Sequence, residues 1–293
     1  MHGGSRDLPA LVNFESFNQD LKISWHNNGP DNQEFFAAEG CSVLYKGTNY
    51  LFGGWFENQD GEKTYGPHVL DVCEILKAPG ASFQFDCFDG SVGYLPSEED
   101  QEDYIMLYDG FNSVQGYDGS NILEIDFAPP VDFHREIGGQ IPLYENHPIL
   151  IAGYRTASVE RYSPFNGWVK DDNIAFPEKN LYSYSAVWGD FGVVVFPGNT
   201  ETGEIWRLSD DEWTSIGTLP WKSILRFSRA VLLSNFEAMV FGGNENQKFT
   251  KFTFNDHFSS IESEYLSNLP SLNYWGDPFA ILVPDNYCLL SFI

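Results

Sequence analysis

Six histidines, His2, His26, His68, His134, His147 and His257, are the side chains of this chain best suited to move a proton or hold a metal near neutral pH. None stands at ligand spacing from another on one strand or helix, and a copper site would need at least two of them beside two tyrosines. His68 and His134 fall nearest to loops where such a site could assemble. Lone surface or turn histidines are the expected reading, with no metal and no cofactor. Four cysteines, Cys41, Cys73, Cys87 and Cys288, lack the short spacing of a zinc knuckle. Cys73 and Cys87 flank a turn at Pro79-Gly80, so a cross-strand disulfide between them is conceivable in an oxidising compartment, the alternative being buried free thiols. The acids Glu98, Glu99, Asp100, Glu102 and Asp103 crowd one loop without the spaced pattern that wraps calcium. That loop reads as a solvated segment, or as a dock for a basic partner.

No Gly-x-Ser-x-Gly elbow or comparable cysteine signature supplies a nucleophile, and the glycine doublets follow strands instead of opening a helix under a phosphate. A carboxylate pair of the kind glycosidases use could lie anywhere among 42 acidic residues, so a hydrolase stays open as the alternative. With 16 basic residues against those 42, the net charge of -26 repels phosphate backbones and anionic lipid, excluding nucleic acid as the expected partner. No run approaches the roughly 20 apolar residues of a membrane span. The N-terminus has no signal-peptide core and the chain has no Asn-x-Ser/Thr site, which points to the cytoplasm unless a targeting segment is missing from it.

What must position any site is a repeated β unit. Residues 229–243 read as two apolar strands about a polar turn at Ser234-Asn235, ending on Gly242-Gly243. Copies centre their second strands near Leu51, Met106, Leu150, Val194, Val240 and Leu289, roughly 44 to 55 residues apart. Units this thin bury their apolar faces only by stacking on neighbours, and four-stranded units stacked radially make a β-propeller. The expected fold is all-β: a six-bladed β-propeller of four-stranded antiparallel blades, one domain over 1-293. Residues 1-37 give the outer strands of a closing blade, 38-89, 90-137, 138-180, 181-222 and 223-270 give five blades, and 271-293 give the inner strands of the closing one. Within 38-89, a polar loop is expected up to Pro67, and the second unit is expected to end on strands near 122–127 and 131–134.

The apolar strand, turn, apolar strand, Gly-Gly and downstream aromatic resemble the kelch repeat. Gly53-Gly54 and Gly242-Gly243 are full doublets; Gly110, Gly153 and Gly198 are partial ones, and Ser291 stands where the last unit needs glycine. Tyr162 with Trp168, Trp206 with Trp213, and Phe252 with Phe258 are the downstream aromatics. The resemblance implies a disc with a central channel and two loop faces, most often a platform for binding proteins through the connections after the second strand and between blades. Its enzymatic minority, galactose-oxidase-like, needs the tyrosine and histidine cluster discussed above. Ser209-Asp210-Asp211-Glu212-Trp213 resembles a sialidase Asp-box but lacks the glycine before the aromatic.

The function expected from all this is a non-enzymatic scaffold, monomeric by default, binding another protein with a basic surface. Trp55, Tyr65, Tyr117, Arg155, Asn244, Tyr274 and Trp275 are its candidate partner-binding residues, because exposed Trp, Tyr and Arg dominate interfaces. The alternative is a carbohydrate-active or galactose-oxidase-like enzyme with its site at the channel mouth.

Overall fold

The second strand of each repeat is apolar without alternation, which a strand tolerates only when both of its faces are covered. In the computed structural model this is what happens: Ile149, Leu150, Ile151 and Ala152 are all fully buried, as are Val193, Val194, Val195 and Phe196. The structure describes residues 2–5, 8–17, 20–26, 34–36, 41–52, 55–57, 63–71, 74–77, 83, 85, 87, 90–96, 103–110, 113–123, 130, 140–153, 155–163, 165–178, 181, 184–198, 202–221, 228–242 and 248–268.

In chain order, β1 (His2–Ser5), β2 (Leu8–Phe17) and β3 (Asp20–His26) form a three-stranded antiparallel sheet in the order β1-β2-β3. Next come β4 (Glu34–Phe36), β5 (Cys41–Tyr45), β6 (Thr48–Phe52), β7 (Trp55–Glu57), β8 (Lys63–Tyr65), β9 (His68–Asp71) and β10 (Glu74–Lys77). Blade 1 is β5-β6-β9-β10, while β4, β7 and β8 make a small separate sheet. Blade 2 is β11 (Ser91–Leu95), β12 (Tyr104–Tyr108), β13 (Val114–Tyr117) and β14 (Ile122–Leu123). Blade 3 is β15 (Leu143–Tyr144), β16 (His147–Gly153), β17 (Thr156–Ser163) and β18 (Gly167–Asp171). Blade 4 is β19 (Tyr184–Gly189), β20 (Gly192–Pro197), β21 (Glu204–Ser209) and β22 (Glu212–Thr218). Blade 5 is β23 (Ser228–Ser234), β24 (Glu237–Gly242), β25 (Lys248–Phe254) and β26 (Ile261–Asn268).

The fold is therefore a β-propeller. First strands of successive blades meet one another, β5 with β11, β15 with β19 and β19 with β23, and Val92 bridges Gln140 in parallel. The core lies between blades, in clusters centred on Ile105, Leu107 and Tyr117, on Ile149, Tyr162 and Trp168, and on Val194, Phe196 and Phe252. Among the described residues no helix is long and apolar enough to cross a membrane.

Four expectations are corrected. Among the described residues the propeller has five four-stranded blades, not six. Of the strands assigned to a shared closing blade, those of residues 1–37 form a sheet of their own in which β2 pairs with β3 from Leu11↔His26 to Phe17↔Asp20 and with β1 along Leu8–Leu11. Residues 271–293 lie outside the described residues. Cys87 is bonded to Cys41, not to Cys73, and is not a free thiol; the pair joins β5 to the segment before β11 with Cα atoms 5.8 Å apart. Cys73 and Cys288 lie outside the described residues. The polar loop expected before Pro67 contains the β7–β8 hairpin, and blade 2 takes Val114–Tyr117 as its third strand and Ile122–Leu123 as its fourth, residues 124–129 and 131–134 lying outside the described residues.

Candidate functional site

Strands alternate in direction, so the turns joining first to second and third to fourth strands emerge on one face of the disc. At this face the axis holds a cavity of about 330 Å³, walled by first-strand residues of all five blades. Val43 and Leu44 come from β5, Val92, Gly93 and Tyr94 from β11, Ile141 and Leu143 from the start of blade 3, Trp188 from β19 and Val231 from β23. Ser42, Asn49 and Gln140 add a hydroxyl and two carboxamides. Leu44, Leu143 and Trp188 each stand two residues before the turn that follows their strand, at Lys46-Gly47, Glu145-Asn146 and Asp190-Phe191. Equivalent positions of the repeat thus converge on the axis.

Local geometry sets these walls. The Gln140 amide Nε2 donates to the Ser42 carbonyl at 2.9 Å, and Ile141 N donates to the Val92 carbonyl at 2.8 Å, tying blades 1, 2 and 3 together at the cavity. Gly93 is required by that closeness, since a Cβ there would meet Ile141 Cβ at 2.8 Å. Lys46-Gly47 and Glu145-Asn146 turn with both residues at positive φ, the two-residue turn that suits strand twist.

Tyr94 donates its hydroxyl to Asp103 Oδ2 at 2.8 Å, and the Asp103 carbonyl accepts from Tyr45 at 2.6 Å. Burial, helped by the Asp103 carboxylate, pushes the Tyr94 phenol up to about 12. It is a neutral hydrogen-bonding group across the physiological range. The described lining therefore offers apolar surface, an indole, a phenol and carboxamides. Among the described residues no group of three or more His, Cys, Asp or Glu is placed to hold a metal ion.

The same face exposes large apolar side chains: Leu44 is 61% exposed, Phe236 in the β23–β24 turn 43% and Phe165 in the β17–β18 turn 83%. Phe236 stacks on Phe258 at 5.4 Å, and Phe258 on Phe191 at 4.7 Å, forming an aromatic ladder across blades 4 and 5. Two arginines brace this face. Arg161 reaches Glu145 at 2.8 Å, Asp171 at 3.5 Å and Asp211 of the next blade at 3.4 Å, with Tyr144 under its guanidinium. Arg207 donates Nε to the Phe191 carbonyl at 2.8 Å and Nη1 to the carbonyls of His257 and Phe258 in the next blade.

Of the candidate partner-binding residues, Trp55 and Tyr65 are brought together as register partners of the β7–β8 hairpin. Arg155 is exposed in the β16–β17 turn at φ +63°, on the face opposite the cavity mouth. Tyr117 is fully buried, its ring against Tyr50, Phe52 and Phe83, so it is core and not surface. Asn244, Tyr274 and Trp275 lie outside the described residues, as does His134. His68 is fully buried within blade 1. Sequence reasoning missed Leu44, Tyr94 and Trp188. For Leu44 and Trp188 the available signal was the position two residues before the first turn of the repeat.

No family model matches the chain, and no curated protein matches it. Among solved structures it is similar to the one described as the structure of YjhT, at 12% identity and a TM-score of 0.55 over 87% of this chain and 91% of that one. It also matches the fucose-specific lectin from Aleuria aurantia at 11% identity and a TM-score of 0.42, over 90% of this chain and 92% of the lectin. At such identity the YjhT likeness is one of fold.

Proposed function

We propose that this chain is a kelch-type propeller acting as a non-catalytic platform that binds another protein, and that it does so on the face of the first and third turns. The observation that carries the reading is the exposure of Leu44, Phe165 and Phe236 on the face where the axial cavity opens. Large apolar side chains left in water on one face of several blades cost free energy that a partner would recover by covering them. The acidic balance of the chain favours a basic surface opposite. The kelch reading draws on the repeat pattern of strand, turn, strand and glycine, and the non-catalytic one on a cavity lining whose described groups stay neutral and hydrogen-bonding near pH 7.

The test is a variant carrying Leu44→Asp, Phe165→Asp and Phe236→Asp, all at exposed positions, compared with the wild type at equal thermal midpoint. Affinity capture followed by mass spectrometry is expected to lose its specific co-purifying protein in the variant. An identical set from both proteins would remove this face as the binding surface.

A further inference from the structure

We infer that the axial cavity is the anchor pocket of this platform, receiving one bulky apolar side chain from a cationic segment of the partner protein. The inference rests on the protein-binding reading and adds to it the point of entry and the chemistry of the partner. About 330 Å³ lies at the bottom of the roughly 300–1,000 Å³ range of ligand pockets, room for one large side chain. Its walls are mainly aliphatic, with Trp188 and Tyr94 able to pack against an inserted aromatic or branched group. A single desolvated anchor of this kind supplies much of the energy of a typical interface. The carboxamides of Asn49 and Gln140 both donate and accept, which suits the peptide backbone on either side of the anchor.

Charge selects the segment. Asp103 is bonded to the cavity residue Tyr94, and Asp190 is exposed two residues beyond the cavity residue Trp188. The nearby cation Lys46 is held over the Tyr45 ring at 4.9 Å. A second copy of this chain is a poor occupant, because two bodies of net charge -26 repel. A segment with Lys or Arg flanking a Trp, Phe or Leu meets both requirements.

The experiment selects a displayed random peptide library on the purified chain and measures the best synthetic peptide against four proteins. These are the wild type, the cavity-filling variants Val231→Trp and Leu143→Phe, which plug the pocket from different blades, and Phe236→Asp on the surrounding face. The expected consensus is one large apolar residue flanked by Lys or Arg. Affinity should fall about tenfold or more in at least one plugged variant that keeps the wild-type unfolding midpoint, and about tenfold or more when that residue becomes alanine. It should also weaken as salt rises from about 0.05 to 0.5 M. A peptide that binds both plugged proteins normally but loses Phe236→Asp overturns the anchor while the platform stands; one that binds all four alike sinks both. Failure to enrich any peptide, an acidic consensus, or displacement of the peptide by a methyl hexoside, which would make the cavity a sugar site, each overturns the inference.

Discussion

Tyr94 shows how one residue ties the wall of the cavity to its acidic surroundings. Its hydroxyl is partly withdrawn from water and donates to Asp103, so ionising it would bury a charge and set it against a carboxylate. The folded phenol, at about 12, holds its proton more tightly than an unfolded tyrosine near 10. The linked stability is complete below about pH 10 and is lost as pH rises from there through about 12. Urea unfolding should therefore lose more stability between about pH 9.5 and 11.5 in the wild type than in Tyr94→Phe. Equal losses would show that the phenol titrates normally. Asp118 works in the opposite sense: burial pushes its carboxyl up, but the amides of Asn121 and Ser120 at 2.6 and 2.7 Å more than offset this and hold it below the usual value. Its contribution is present above about pH 4 and disappears as pH falls through the lower folded value, so Asp118→Asn should flatten the acid limb of the same measurement.

At the scale of the element, the close approach of β11 to the start of blade 3 is the least forgiving contact of the cavity wall. Gly93→Val should destabilise the chain by about 1–3 kcal/mol, read as a lower urea midpoint, because backbone and Ile141 Cβ leave no space for the added carbons. A midpoint within error of wild type would mean that the strands can part at no cost. The Cys41–Cys87 bond closes a loop of sequence separation 46, worth about 4 kcal/mol by the chain-entropy model, and it fastens the strand carrying Ser42 and Leu44. Reduction or Cys87→Ser should lower stability on that order, and reducing the wild type before alkylation should add two thiol adducts to the intact mass beyond those that alkylation alone gives. These elements were unequally legible. Second strands such as Val193–Phe196 announce themselves as apolar runs because two blades cover them. The turn at 145–146 and the strands after it were readable for the same reason. β7 and β8 were not: three-residue strands such as Lys63-Thr64-Tyr65 carry no apolar run, and their pairing depends on β4 from another part of the chain. Nor could spacing choose Cys41 over Cys73 as the partner of Cys87, since that depends on how blade 1 folds back on itself. The candidate Tyr117 failed because an aromatic between blades has the same sequence signature as an exposed one.

For the whole molecule, the blade count was the hardest quantity to read, because it depends on which edges the terminal strands satisfy and no local pattern records that choice. Charge was the easiest. A net of -26 on a chain whose acids crowd the turns means that the folded disc repels itself more than the expanded chain does. Among the described residues, ties that oppose this include Arg161, which gathers Glu145, Asp171 and Asp211, and Lys251, which lies between Glu237 at 3.3 Å and Glu264 at 3.6 Å. Their carboxylates are partly exposed, and each such pair is worth about 0–1 kcal/mol, too little to cancel the general repulsion. Screening should act on the repulsion over distances beyond the roughly 8–10 Å Debye length while leaving contacts near 3 Å largely intact. Raising sodium chloride from about 0.02 to 0.2 M is thus expected to raise the thermal midpoint by about 2–4 °C, with potassium chloride giving the same rise. The same salt should weaken a cationic peptide at the cavity mouth, so stability and binding move in opposite directions. A midpoint that falls with salt would mean that the Arg161 and Lys251 networks outweigh the excess of negative charge.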